Sequence, residues 1–227
     1  MAFVGLKMPV FAPIAGYDEE THRPTYGTGF IIGMAIKADV TINYAEATLY
    51  ADDILAESDS SFQNGTVDVG VDEISHESDT KLFGSKIVEV DGIEELHVGG
   101  KNVSPHGGFG YYKTKVHRGV TGYTAKWFLD TQFKRGNDSG ATKADSTSFA
   151  TPEFSGNIFA VPGFEEDVYV EEAFFDSESD AQGWLRSKAN IGSTKVNVQS
   201  LARTTTTSTT SVTPKTTDST TSVSTNK

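Results

Sequence analysis

The chain has 227 residues, no cysteine, 37% hydrophobic and 22% charged residues, and a formal net charge of −12. Without cysteine there is neither a disulfide framework nor a thiolate metal site, and the acidic balance argues against a duplex nucleic-acid binder, which neutralises phosphates with clustered Lys and Arg. Twenty-two glycines and abundant Val, Ile, Thr and Tyr tilt the chain toward strands.

The opening residues MAFVGLKMPVFAPI show no basic leader and no apolar core before a small-residue cleavage site, so no secretory signal is expected. No run approaches the ~18 apolar residues of a membrane helix. Residues 1–29 predict a short strand or arm in FVGLKMPVF, then a polar loop through His22, Pro24, Gly27 and Gly29. From Phe30 to Tyr44 the parity is apolar at Phe30, Ile32, Met34, Ile36, Ala38, Val40 and Ile42, with Lys37, Asp39, Thr41 and Asn43 opposite. Period two with one wet face predicts a half-buried strand.

The next stretch, Asn43 to Phe62, reads NYAEATLYADDILAESDSSF. It is too long for a hairpin loop, which usually takes about two to five residues. Leu49, Tyr50, Ile54 and Leu55 sit among Glu46, Asp52, Asp53 and Glu57, so the segment is expected to be a long acidic arm that packs on another copy of the chain. Asn64-Gly65 is a turn signal, and Thr66, Asp68, Gly70 and Asp72 then alternate with Val67, Val69 and Val71 as a second strand.

Residues 72–83 predict a short helix that Asp72 or Ser75 can cap and Gly84 can end. Lys86–Val90 predicts a strand ending at Asp91-Gly92, and 99–108 a loop. Phe109–Val116 and Tyr123–Phe133 predict a hairpin, with Tyr123, Ala125, Trp127 and Leu129 on one face. After a polar loop over 136–145, strands are expected at Ser146–Ala150, Phe154–Val161 and Asp167–Phe175, with Pro152 and Pro162 at their edges. A closing helix follows, with Ser177 as cap, Asp180 completing a capping box, Phe175 stapling onto Ala181, and Ala181, Trp184, Leu185 and Lys188 along one face.

From Thr204 to Thr225, seventeen of twenty-two residues are Ser or Thr. Nothing there can offset the entropy of ordering, so residues 201–227 are expected to be a flexible tail after a β domain spanning 1–200. That tail holds Arg203, Lys215, Lys227 and the single acid Asp218, so the remaining body carries −14 instead of −12. Within the body, no basic residue lies between Lys37 and Lys81, whereas eleven acids do. Lys113, Lys115, Arg118, Lys126, Lys134, Arg135 and Lys143 cluster on the hairpin and the loop after it. An acidic arm and a basic hairpin suit a head-to-tail contact, which generates rings or filaments.

Catalytic signatures do not assemble. His106-Gly107-Gly108 is similar to an esterase oxyanion loop, but no GxSxG elbow accompanies it. His22, His76, His97, His106 and His117 are scattered without zinc-ligand spacing, and Asp52-Asp53 lacks the ligand spacing of a calcium loop. Asn64, Asn102 and Asn137 begin glycosylation sequons that, with no signal peptide expected, read as chance matches. No cofactor is expected and no enzyme activity.

Several separated blocks carry a family resemblance: Tyr44–Glu57 (YAEATLYADDILAE), Gly65–Asp72 (GTVDVGVD), GFGYYKTKV from Gly108, YTAKWF from Tyr123, Thr142-Lys143, Thr151-Pro152 ahead of Gly156, and the helix around Ala181, Trp184 and Leu185. In this order, from about residue 2 to 190, the chain resembles the major tail (tail tube) proteins of long-tailed bacteriophages, those of Gram-positive hosts especially. The resemblance implies a mainly β subunit, a β-sandwich or barrel flanked by a C-terminal helix, to which the residues at 72–83 add a second short helix, that self-assembles into stacked hexameric rings around a DNA conduit in the virion. It implies a tape-measure protein, a tail terminator and tail-tip proteins as partners, and assembly in the host cytoplasm. It also implies that residues 43–62 are an inter-ring loop, and that Phe30–Asn43, Phe62–Asp72, Phe109–Val116 and Tyr123–Phe133 line the lumen. Asp39, Thr41, Asn43, Asp68 and Asp72 would then form a wet, acidic wall that DNA slides past. The other reading of these residues is a secreted adhesin or carbohydrate-binding β-sandwich on a Ser/Thr stalk. The expectation of no secretory signal counts against it.

Overall fold

Alternating patterns in this chain form strands almost wherever they occur. The computed structural model describes residues 2–51, 54–117, 119–136 and 151–192. In chain order these form β1 (Ala2–Tyr17), β2 (Pro24–Tyr26), β3 (Phe30–Ile31), β4 (Ala35–Ala51), β5 (Ile54–Val71), α1 (His76–Phe83), β6 (Lys86–Val90), β7 (Ile93–His97), β8 (His106–His117), β9 (Val120–Arg135), β10 (Glu153–Phe159), β11 (Val170–Phe175) and α2 (Glu178–Lys188). Among the described residues the protein is mainly β with two helices. The Ser/Thr-rich tail and the strand expected at Ser146–Ala150 lie outside the described residues.

Nine strands form one antiparallel sheet of order β2-β1-β8-β9-β10-β5-β4, with β3 also on β1 and β11 also on β9. The shared edge of β9 shapes the whole. Its Asp130–Arg135 end pairs with β10, its Tyr123–Phe128 end with β11, and Val120–Gln132 pairs with β8 on the other side. One core contains Phe11, Phe109, Tyr111, Phe128 and Phe133 together with Val67, Val69, Phe154 and Ile158, and α1 adds Leu82 and Phe83. The other lies on the reverse side of β8 and β9, where Tyr112, Ala125, Trp127 and Leu129 meet Ala181 and Leu185 of α2.

The glycine-rich run ahead of the hairpin serves this packing. A Cβ at Gly108 would stand 2.1 Å from the Trp127 ring and one at Gly107 2.3 Å from Phe11. These glycines make room for aromatic rings in a strand, which accounts for the His106-Gly107-Gly108 sequence without any oxyanion chemistry.

Several expectations are corrected. The opening segment is no short strand but a sixteen-residue one, with Val10, Phe11 and Ala12 fully buried and register shifts around Gly5 and Met8. The strand expected over 30–44 breaks at residues 32–34. Gly33 presses against Glu73, where a Cβ would come 2.6 Å from the carbonyl oxygen, so Phe30 and Ile31 pair with β1 while β4 starts at Ala35. Asn64-Gly65 makes no turn. Gly65 is buried inside β5, with the position of a Cβ 3.2 Å from the Ile158 Cβ, so packing and not turn geometry calls for glycine there. Asp91-Gly92 is a tight turn with positive φ at both residues (52° and 79°), as a two-residue hairpin of mirror-image type demands. It leads into β7, a strand the pattern had not suggested.

Ser75, and not Asp72, caps α1, accepting from the Ser78 N–H at 3.1 Å, and Gly84 ends the helix in the left-handed conformation (φ 71°). At α2 the expected capping box is absent. Ser177 occupies the cap position without a side-chain cap bond, its hydroxyl paired with that of Ser179, and Phe175 packs its ring on Trp184 at 6.2 Å.

Candidate assembly interface

Register places the polar residues of five strands in rows on one face of the sheet. Asp39 lies opposite Asp68, Asp68 opposite Ser155, and Ser155 opposite Lys134. The next row runs Thr41, Thr66, Asn157, Gln132 and His106. Beyond it Asn43 donates to the Asn64 side chain at 2.8 Å. At the other end Lys37 reaches across Gly70 to Glu153 at 3.0 Å. Asp39 and Asp68 are both exposed and directly cross-strand, a like-charge pairing that costs stability.

Four of the five residues expected to form a wet wall therefore share one face, flanked by Lys37 and Lys134. Asp72 is not with them. Its carboxylate accepts from the Met34 N–H at 2.6 Å and its own N–H donates to the Met34 carbonyl at 3.1 Å, so it holds the start of β4 in place.

The segment expected as a loop, residues 43–62, is the distal part of a long hairpin. Among the described residues, pairing between β4 and β5 continues without a third strand from Tyr44↔Phe62 through Glu46↔Ser60, Leu49↔Glu57 and Tyr50↔Leu55 to Ala51↔Ile54. β10 leaves β5 at Gly65. Asp52 and Asp53 lie outside the described residues. The period-two pattern in YAEATLYA carried this ribbon; it was obscured because the two strands meet with only two residues between them. A register shift between Asn43 and Tyr44 keeps Phe62 on the core side, where its ring stacks on Tyr169 at 4.2 Å and 14°. The Tyr44 and Tyr169 hydroxyls are 3.3 Å apart. Phe62, Tyr44 and Tyr169 thus root the arm.

The expected basic surface is divided. Lys126 pairs with Glu172 at 2.5 Å, and Arg135 pairs with the buried Asp79 and donates to Ser85. Lys134 belongs to the polar face. Arg118 lies outside the described residues. Lys113 and Lys115 remain, together on one face of β8 beside two exposed aromatics, Phe3 and Phe174, that the patterning did not single out.

β5 runs parallel to β9, with β10 antiparallel between them, so the arm extends in the direction of the β8–β9 turn. Arm and Lys113 share one end of the subunit. Lys134 and Arg135 of the same basic set stand at the opposite end of β9.

Elsewhere, His106 Nδ1 lies 2.8 Å from Asp130 Oδ1, and burial raises the Asp130 carboxyl above its ordinary range while His106 works against that rise. No group of three or more His, Asp or Glu among the described residues could hold a metal ion, and no described helix is long and apolar enough to cross a membrane. No family model matches the chain, and no curated protein matches it significantly.

Proposed function

We propose that this chain is a structural subunit that assembles with copies of itself into stacked rings, a tube through which DNA passes, like the phage tail tube proteins it resembles. The observation that carries the reading is the polar face of β4, β5, β10 and β9. An exposed sheet face free of apolar side chains at its centre, with Asp39 kept opposite Asp68 at a cost, suits a wall that must not adhere to a polyanion. β4 stands at the edge of the sheet, and its open ladder groups offer a place for a neighbouring subunit to continue the wall.

In this reading β4, β5, β8 and β9 supply the lumenal strands with β10 interposed, and the arm of residues 44–61 reaches the adjacent ring. The rings are hexameric, the tape-measure protein occupies the lumen during assembly, and terminator and tail-tip proteins close the two ends. The chain has no catalytic task and no sequence-specific contact with DNA. Its place is the virion. Negative-stain microscopy of the purified protein, alone and with tape-measure and tail-tip proteins, tests the reading: hollow tubes or rings are expected. A protein that stays monomeric under all these conditions and at high concentration refutes it.

A further inference from the structure

β6 and β7 form a finger apart from the main sheet, paired among the described residues only with each other and packed on α1. Ile87, Val90 and Ile93 are exposed on it, Ile93 by 64%, although two strands alone are marginal in water. The acids Glu89, Asp91, Glu94 and Glu95 are exposed as well. Glu89 stands directly across from Glu94, a repulsion that a cationic partner would relieve. Exposed apolar residues rimmed by one sign of charge mark a docking surface.

The complementary surface is on the same chain. Phe3 pairs in register with Lys115, Lys113 with Thr124, and Thr124 with Phe174, so all five share a face. Phe3 is 56% and Phe174 69% exposed. The Lys115 ammonium lies 5.7 Å from the centre of the Phe174 ring, and neither lysine has a carboxylate partner among the described residues. Between them the Thr124 hydroxyl is buried with no hydrogen-bond partner among those residues, an acceptor and donor left over in the free subunit.

Finger and face lie at opposite ends of β9. The finger leaves the body at Ser85, held by Arg135, and the chain returns at Ser104, whose carbonyl accepts from Gln132. From Arg135 back to Thr124 is ~35 Å of strand, whereas strands as short as β6 and β7 span only ~17 Å. The finger cannot reach the face of its own chain.

We infer that the finger of one copy docks on the Phe3, Lys113, Lys115 and Phe174 face of the next copy, head to tail. Ile87, which shares the Glu89 and Glu94 side of the finger, lies against the two phenyl rings, and Glu89 and Glu94 meet the two lysines. The contact deepens the tube reading, on which it rests for the direction of stacking, and it is separable by experiment. Two variants are made, Glu89→Lys/Glu94→Lys and Lys113→Glu/Lys115→Glu, with circular dichroism confirming native folding. Each alone should self-associate at least ~10-fold more weakly by sedimentation velocity at low salt, since finger and face then repel. Their equimolar mixture should regain association, because each finger then finds an opposite charge on the other variant. Because the chain has no cysteine, mixed Ile87→Cys and Phe174→Cys proteins should also form a specific cross-linked dimer on oxidation. Variants that assemble like the parent, a mixture no better than its components, or absence of the cross-link at assembling concentrations overturns the contact. Hollow tubes from both variants would overturn it while leaving the tube reading standing; rescue in the mixture without any hollow assembly would do the reverse.

Discussion

Replacing Tyr169 with Ala should free the arm without unfolding the body. Two interactions root the ribbon there: the stack with Phe62 at 4.2 Å and the hydroxyl contact with Tyr44 at 3.3 Å. A stacked aromatic pair contributes ~1 kcal/mol beyond its burial and a hydrogen bond a net ~1 kcal/mol. Losing ~2 kcal/mol multiplies the open population of the root ~30-fold, and past Gly65 no third strand among the described residues resists the opening. Native-state hydrogen exchange reads this directly. Amides of residues 44–51 and 54–62 should exchange ~30-fold faster while those of Val67 and Trp127 keep their protection. Tyr169→Phe, which keeps the stack, should accelerate the arm only ~5-fold. Equal acceleration of arm and core, or none in the arm, would refute the idea that this cluster is the root. Alkaline pH provides a second perturbation. The Tyr169 hydroxyl is pushed up to about 12, chiefly by its bond with Tyr44 and then by burial. An ordinary phenol titrates near 10. The folded state therefore keeps a proton that the unfolded chain loses, so this stabilisation is whole below pH ~10 and fades between ~10 and ~12.

Other consequences are as direct. Deleting Glu46 to Ser60 should leave a subunit with the parent circular dichroism that no longer forms tubes in negative stain; normal tube growth would sink the role assigned to the arm. Asp68→Asn removes the like-charge row with Asp39 and should raise thermal stability by ~0.5 kcal/mol, checked by melting. Asp39→Lys/Asp68→Lys should leave assembly intact but give tubes that retain short single-stranded or duplex DNA at low salt, measured by fluorescence anisotropy against parent tubes. Arg135→Ala strands the buried Asp79 carboxylate and should cost ~2 kcal/mol in urea unfolding, less than a fully buried pair because Arg135 is partly solvated.

What could be read ahead of the fold was what depends on short-range alternation. β5, β8 and β9 follow from Val67, Val69 and Val71 and from Tyr123, Ala125, Trp127 and Leu129, and the common face of Asp39, Thr41, Asn43 and Asp68 follows from the same period. What escaped depends on partners distant in sequence. The break at Gly33 exists because of Glu73, Gly65 is glycine because of Ile158, and Asp72 is diverted by Met34. The division of the basic cluster likewise required Glu172 and Asp79, neither of which is a sequence neighbour. β7 was within reach, since Asp91-Gly92 stands between two apolar-containing runs, the strongest short hairpin signal there is. Phe3 and Phe174 could not be singled out, because an apolar residue in a strand gives no sign by itself of being left outside.

One strand measures out the whole subunit. β9 carries the face with Lys113 and Phe174 near Thr124, receives the Tyr169 carbonyl at the Leu129 N–H, holds Gln132 and Lys134 in the polar rows, and ends at Arg135 beside the finger. Spacing among these surfaces is thus a residue count along a single ruler, in steps of ~3.3 Å. Inserting one residue between Thr124 and Gln132 would turn everything past it to the wrong side. Inserting two would preserve every side and lengthen the subunit by ~7 Å. Variation in the height of such a subunit should therefore come in pairs of residues, matched on β8 and β5.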